Sequence, residues 1–330
     1  DAKKKSARAM AEQPRELTFA SSCLLPTSWV PCSLLEVREY NHDTCVFAFS
    51  LPEGAGEDAT LGLPVCACLL LKAPGREHGG GDAVRPYTPV SKSTLQGRFE
   101  LLIKRYAQWG DPPTKNEEWR TSHSFRPAGA VSNYLFELAI GDAALFSHIP
   151  ANVKLQYPFQ GVETITMIAV GAGIAPMVQA LHELMTHEED ETRIVLLYGS
   201  RTYKDVLMQK QLEEWATTRA DRFKLVHCIG SRWRNIHWGV KKKDEYRPPP
   251  PPEGLEELTA AGGNIVVERG WADGDKVKSH GFAPAPETRV FVCGLPGVYD
   301  LLCGKRTDPE VAEGSALHTL GYTREHVVKF

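Results

Sequence analysis

A chain of 330 residues has the length for two domains, each large enough to bury its own core. With 42% hydrophobic and 24% charged residues it is of ordinary globular composition, and a formal net charge of −3 excludes a dedicated nucleic-acid binder, which carries a strong basic excess. No apolar run approaches the roughly 20 residues that a membrane-spanning helix needs.

The chain opens at Asp1, so any membrane contact is expected only through a segment that precedes it, and Lys3-Lys4-Lys5 reads as a solvated terminus. The eight cysteines include no CxxC pair and do not form a disulfide framework in a chain this long. Reduced, mostly buried thiols are expected.

From about Glu16 to Phe146 short apolar runs recur between Gly- and Pro-rich breakers: Thr44 to Phe49, Val65 to Leu71, and Phe99 to Lys104. This spacing predicts a small antiparallel barrel or sandwich. Within it lies Arg85-Pro86-Tyr87-Thr88-Pro89-Val90-Ser91. Arg85 offers a planar fork for a phosphate, Tyr87 a flat face, and Thr88 and Ser91 hydroxyl donors. Further on, Gly129-Ala130-Val131-Ser132 opens a predicted helix over Asn133 to Leu138, a possible pyrophosphate-binding N-terminus.

The pattern changes after Ile149 to Gly161, which is the expected boundary between domains at 16–157 and 162–330. Ile165 to Val170 and Ile194 to Tyr198 are continuous apolar runs, as for strands buried on both faces of a parallel sheet. Helices are predicted from Pro176 to about His187 and from Lys204 to about Ala220; Phe223 to Val226 and Val290 to Cys293 complete a doubly wound α/β pattern. Between these last two strands lies an irregular stretch with Lys241-Lys242-Lys243 and five consecutive prolines, Pro248 to Pro252, read as a stiff surface insertion.

Gly171-Ala172-Gly173-Ile174-Ala175-Pro176 follows the first buried strand. Two glycines allow a tight turn, Pro176 suits a first helical turn, and the helix directs free N–H groups and its positive dipole end at an anion. The same glycines would also serve simple helix–strand packing. Cys293-Gly294-Leu295-Pro296-Gly297 ends the last strand. Open α/β sheets bind ligands at such carboxyl ends. His182-Glu183-Leu184-Met185-Thr186 lacks the second histidine that a helical zinc site requires, so no metal is expected.

Arg85 to Ser91 resembles the flavin signature RxYTxxS of the ferredoxin–NADP reductase superfamily, and the order of barrel, GxGxxP turn and CGxPx segment is similar to it as well. Ile103-Lys104-Arg105-Tyr106, Phe125 to Leu135, Thr166 to Met177, and the ending Gly321-Tyr322-Thr323-Arg324-Glu325 to Phe330 resemble the cytochrome b5 reductase family within it. The resemblance spans about residues 16–330. It implies an N-terminal antiparallel β-barrel that binds FAD and a C-terminal α/β doubly wound parallel sheet that binds NAD(P).

It also implies roles. Arg85, with Pro86 and Ser91 beside it, would clamp the FAD pyrophosphate, together with Gly129, Ala130, Val131 and Ser132. Tyr87 would line the isoalloxazine, and Thr88 would bond near flavin N5. Ile103, Lys104 and Tyr106 would face flavin and incoming dinucleotide. Gly171, Ala172, Gly173, Ala175 and Pro176 would accommodate NAD(P)H, and Cys293 and Gly294 would sit over the nicotinamide. Thr88, Lys104 and Cys293 are the catalytic candidates. The chemistry implied is hydride transfer to flavin N5, then single-electron delivery to a haem acceptor such as cytochrome b5, by a monomer in the cytoplasm or on the cytosolic face of the endoplasmic reticulum or mitochondrial outer membrane.

The chain departs from the family pattern at Ala130, where a lysine is usual, at Ala172 and Ala175, where hydroxyls are usual, and at Leu295 and Gly297. Ser231 and Arg232, after the third buried strand, stand where NADH-type members tend to carry an acid, and with Arg201 they suit the 2′-phosphate of NADPH. Use of NADPH is therefore expected. Two alternatives are a flavin module cut from a larger redox protein, and a non-catalytic dinucleotide-binding protein suggested by Ala130, Ala172 and the proline run.

Overall fold

The computed structural model describes residues 23–108, 127–150, 154–230 and 264–330. The lysine and proline runs of the insertion, with Ser231 and Arg232, lie outside them.

The first half forms six strands: β1 (Val30–Asn41), β2 (Thr44–Ser50), β3 (Leu69–Ala73), β4 (Ala83–Tyr87), β5 (Arg98–Lys104) and β6 (Ala143–His148). They pair antiparallel in the order β4-β3-β6-β1-β2-β5. The two ends of this order are drawn together just beyond β4, where the Val90 amide donates to the Glu100 carbonyl (2.8 Å) and the Glu100 amide donates to the Ser91 hydroxyl (3.2 Å). The sheet thereby curls into a barrel around a phenylalanine cluster. Phe49 and Phe146 meet edge to face at 4.9 Å, Phe99 and Phe146 at 5.1 Å, and all three are fully buried. Helix α1 (Ala130–Glu137) seats Val131 and Leu135 in this core.

The second half is a six-stranded sheet of β7 (Thr164–Val170), β8 (Arg193–Ser200), β9 (Phe223–Ile229), β10 (Ile265–Arg269), β11 (Thr288–Cys293) and β12 (Val327–Lys329). All pairs are parallel, in the order β10-β9-β8-β7-β11-β12. The order reverses between β7 and β11, so their carboxyl ends define the switch point at which such sheets bind ligands. Flanking helices are α2 (Ala175–Thr186), α3 (Gln209–Thr218), α4 (Gly274–His280), α5 (Pro296–Leu302) and α6 (Ala316–Thr319).

Two expected elements are corrected. The run from Val65 is extended only from Leu69, because Cys66 adopts a left-handed φ of 61° and turns the chain. The helix expected from Lys204 to Ala220 divides into a 3-10 turn (Tyr203–Asp205) and α3. Thr202 and Asp205 close a reciprocal capping box on the short turn, and Met208, also left-handed at φ 56°, separates it from α3. Among the described residues no helix is long and apolar enough to cross a membrane.

The two sheets share a buried interface. Val46, Cys66, Val90 and Leu102 from the first half pack into the apolar cluster that contains Ile174, Met177 and Val178. His182 Nε2 meets the Val90 carbonyl at 3.1 Å, and Ser93 donates to Glu183 (2.5 Å). The His-Glu pair is thus an interdomain fastener, with burial holding His182 below the usual histidine range.

Truncating Phe49 to alanine should cost about 3–5 kcal/mol, as for aromatic residues in other cores. Urea unfolding of the variant should show a lower midpoint with the parallel sheet's transition less affected; an unchanged midpoint would remove Phe49 from the core.

Candidate functional site

Strand β4 is an edge strand, which tolerates Pro86 and leaves Arg85 and Pro86 exposed. Arg85 meets Glu77, with Nη1 3.1 Å from Oε2, and donates to the Val84 carbonyl at 2.8 Å. Tyr87 and Thr88 are half-buried, and burial raises the Tyr87 hydroxyl well above the ordinary tyrosine range. Ser91 is engaged in closing the barrel at Glu100.

The end of β5 is stitched to the start of α1. Gly129 N–H donates to the Tyr106 carbonyl (2.9 Å), Asn133 Nδ2 donates to the same carbonyl (2.8 Å), and Tyr106 N–H donates to Ser132 Oγ (3.4 Å). Ser132 itself donates to the Gly129 carbonyl (3.3 Å). A Cβ on Gly129 would lie 2.5 Å from Ser132 Oγ, so a side chain there would force Ser132 off its present hydrogen bonds. No side chain caps α1 and no acid occupies its first turn. The Ala130 and Val131 amides therefore present a positive end, while the Val131 side chain is in the core. Ile103 is fully buried and faces the same core.

At the switch point, β7 ends at Val170 and a 3-10 turn (Gly171–Ile174) leads into α2, with Pro176 in the first turn and no side-chain cap. Gly171 has φ +56°, and a side chain there would meet nothing within 4 Å, so it combines a left-handed backbone with open space. Gly173 is different: a Cβ there would lie 2.4 Å from the Cys293 carbonyl oxygen and 2.9 Å from the Gly294 amide nitrogen. The two motifs touch backbone to backbone, because Cys293 on β11 is paired with Ala169 on β7. Gly294 in turn leaves room for Val298 and Val170. Ala172 is half-buried and Ala175 buried. The Cys293 thiol is pushed up to about 11 by burial, so it stays protonated and neutral near pH 7.

The first half reaches this turn directly. Strand β5 contacts the 3-10 turn, and Cys66 donates from Sγ to the Pro176 carbonyl at 3.2 Å. Lys104, at the end of β5, donates to Asp43 in the β1–β2 turn and lies 3.7 Å from Asp205. Asp205 uses one oxygen for the Thr202 amide (3.0 Å) and hydroxyl (2.6 Å). Its other oxygen faces His42 at 3.6 Å, Lys104 at 3.7 Å and Arg201 at 3.5 Å. Burial opposes its charge, but the Thr202 hydrogen bonds and the Arg201 and Lys104 cations hold its carboxyl below the ordinary 3.8. His42, Asp43 and Asp205 lie within 4.8 Å of one another, yet Lys104 and Arg201 already supply the cations there. A groove of about 880 Å³ runs beside this cluster, lined by Tyr40, His42, Tyr203, Gln209 and Glu213; none of the Arg85, Gly171 and Cys293 segments lines it.

The sequence alone does not single out Asp43, Cys66, Glu77 or Asp205. Only Asp205 carries a local sign, the Thr202-x-x-Asp205 capping box. A diphosphate fits what is present: two uncapped helix starts without first-turn acids, an arginine fork, and open space over Gly171.

An oxidoreductase FAD-binding domain model matches residues 31–148, and an oxidoreductase NAD-binding domain model matches residues 167–243. The fold and the two matches define an FAD- and NAD-binding flavoenzyme of the oxidoreductase class with a ferredoxin reductase-like arrangement. Within that class, the chain is a relative of the NADH-cytochrome b5 reductases. NADH-cytochrome b5 reductase 2 of Candida glabrata is 29% identical over 306 residues, covering 92% of this chain and 84% of that protein. The protein of the same name in Saccharomyces cerevisiae is 27% identical over 305 residues, covering 92% and 83%. Among solved structures, the cytochrome b5 reductase domain of Ulva prolifera nitrate reductase shares the fold with a TM-score of 0.68 at 23% identity, over 94% of this chain and 100% of that one. The CS-b5R domains of human Ncb5or share it with a TM-score of 0.59 at 21% identity, over 91% and 69%.

Two outcomes follow from this geometry. Gly171→Ala should cost only what a left-handed alanine costs, about 1–2 kcal/mol, whereas Gly173→Ala should displace the Cys293 strand end and lower both melting temperature and nicotinamide affinity more; equal effects in thermal melts would contradict the contact. Asp205 contributes stability that is complete above pH 3.8 and lost as pH falls through its lower folded value. The stability gap between the native chain and Asp205→Asn, measured by denaturant titration, should be flat from neutral pH to about 4 and close below it.

Proposed function

We propose that this chain takes a hydride from NADH or NADPH and passes electrons singly to a haem protein such as cytochrome b5. One observation carries the reading: the glycine turn after β7 abuts the Cys293 strand end at the switch point, with β5 of the FAD-binding half against that turn. Bound flavin supplies the conversion of a two-electron hydride donor into single-electron delivery, which no side chain provides.

The chain's own residues bind, orient and exclude water. Arg85 and the free amides at Ala130 and Val131 hold the flavin diphosphate, with Gly129 and Ser132 fixing the bend that presents those amides. Pro86 and Ser91 hold the β4 edge in place. Tyr87 lies along the ring system and Thr88 donates toward N5. Gly171 admits the dinucleotide diphosphate at the α2 start, with Ala172, Ala175 and Pro176 shaping the turn, while Gly173 and Gly294 let that turn seat against β11. Cys293, neutral and polarisable, packs on the nicotinamide. Val46, Val90 and Leu102 keep the gap between the halves dry. Such packing holds donor and acceptor atoms at the roughly 3–3.5 Å that transfer needs.

Lys104 and Tyr106 guide the incoming dinucleotide, and Asp205 holds Lys104 and Arg201 on one carboxylate. Arg201 and, in the segment after β9, Ser231 and Arg232 supply groups for a 2′-phosphate, so NADPH serves alongside NADH. The acceptor docks in the cytosol or at the cytosolic face of a membrane, with this chain acting as a monomer whose domains are 16–157 and 162–330.

Anaerobic titration of the yellow protein with NADH or NADPH should bleach the flavin band, and oxidised cytochrome b5 should then restore it. A flavin that stays oxidised under excess of both nicotinamides would end the proposal; bleaching without reduction of cytochrome b5 would redirect it to another acceptor. Lys104→Ala should raise the KM for both nicotinamides about tenfold, a loss of about 1.4 kcal/mol, with a smaller change in kcat. A fall in kcat at constant KM would assign Lys104 to another step.

A further inference from the structure

The loop between β3 and β4 is built to hold a shape. Gly75, Gly79, Gly80 and Gly81 all have positive φ, between 68° and 101°. Gly80 N–H donates to the Glu77 carbonyl (3.0 Å), Glu77 N–H donates to the Gly81 carbonyl (3.1 Å), and Gly75 N–H donates to Asp82 (3.1 Å). Its side chains reach Arg85, Ala128 just before α1 and the last residue of α1. Arg76 donates through both terminal nitrogens to Glu137 of α1, His78 Nε2 lies 3.1 Å from the Ala128 carbonyl just before α1, and Glu77 meets Arg85.

The Glu77 contact is end-on: Arg85 Nη1 donates to Oε2 at 3.1 Å and Nη2 to Oε1 at 3.5 Å. Nη1 also serves the Val84 carbonyl. Both terminal nitrogens of the fork are therefore directed to protein oxygens. A phosphate takes the same bidentate face of a guanidinium, and carboxylate and phosphate repel each other when they share it.

We propose that Glu77 competes with the flavin diphosphate for Arg85, so that the loop from Gly75 to Asp82 is a strap whose Glu77 side chain must release Arg85 for FAD to bind and thereby weakens its retention. This rests on the reading that Arg85 holds the diphosphate. The Arg85 hydrogen bond keeps the Glu77 carboxyl below the usual carboxylate range, so the competitor is fully charged at neutral pH. A phosphate-free flavin has no claim on Arg85, so riboflavin binding is indifferent to Glu77.

The test is equilibrium dialysis of the flavin-loaded full chain at serial dilutions, reading bound FAD by its absorbance. Glu77→Gln, which keeps the size and loses the charge, should bind FAD about tenfold tighter, the effect of about 1.4 kcal/mol, with riboflavin affinity equal in the two proteins. FAD affinity unchanged or weakened in Glu77→Gln overturns the proposal, since Glu77 is then a bystander or an orienting partner of Arg85. Arg85→Ala separates the premises. Strong FAD loss in Arg85→Ala, with no gain from adding Glu77→Gln to it, supports competition through Arg85. Native FAD affinity in Arg85→Ala would instead sink the reading of Arg85 and the strap with it.

Discussion

Everything at the centre of this molecule depends on the absence of one carbon atom at Gly173. The Cys293 carbonyl occupies the space where a Cβ would stand, 2.4 Å away, and this lets the turn after β7 lie flat against the end of β11. Strand pairing alone places the two ends side by side, through Ala169 and Cys293. It does not bring their loops into contact, because each loop leaves its strand to start a helix. Glycine at 173 and at 294 removes the side chains that would wedge the loops apart, and the space over Gly171 beside them is open.

That seat also sets where the other half of the chain must dock. Cys66 carries a backbone cost of about 1–3 kcal/mol for a left-handed residue that is not glycine, and its Sγ reaches the Pro176 carbonyl in the first turn of α2. Around it, Val46, Val90 and Leu102 continue the apolar cluster of the parallel sheet. The contact locates the barrel against the helix that begins at the glycine turn, rather than against any other part of the sheet. A one-sided apolar patch would permit sliding; a thiol lodged at one carbonyl, with His182 fixed on the Val90 carbonyl further along the same helix, does not.

The strands with continuous apolar runs are legible in the sequence because burial on both faces imposes composition directly, as in Ile165 to Val170 and Ile194 to Tyr198. Strands β1 and β6 carry weaker signals, since β1 buries only Cys32 and Leu34 and is interrupted by a register shift between Leu34 and Glu36, while the buried end of β6 includes the polar Ser147 and His148. A candidate site is legible where one segment carries its groups, as in Arg85 to Ser91. It is not where the partners are distant in the chain. Asp205 acts on Lys104 and His42, which lie in the other half of the sequence, and no local spacing records that meeting. Gly173 is legible as a glycine but its reason is not, for packing against Cys293 and room for a ligand ask for the same residue.

Asp205 shows why charge at this interface is arranged rather than merely balanced. A carboxylate that is nearly buried loses its hydration, and a single surface cation would return about 0–1 kcal/mol. Here one oxygen is satisfied within its own turn by Thr202, which fixes the carboxylate's direction before any cation arrives. The other oxygen is then shared by His42 and Lys104 from the barrel and Arg201 from the parallel sheet. Because Lys104 comes from the barrel and Arg201 from the parallel sheet, moving the halves apart would expose unpaired charge on each side. The apolar contact at Cys66 gives the interface its position, and the shared carboxylate makes departure from that position unfavourable in more than one direction. Lys104 and Arg201, proposed to meet a dinucleotide phosphate, are thereby held in the same frame as the turn proposed to receive it.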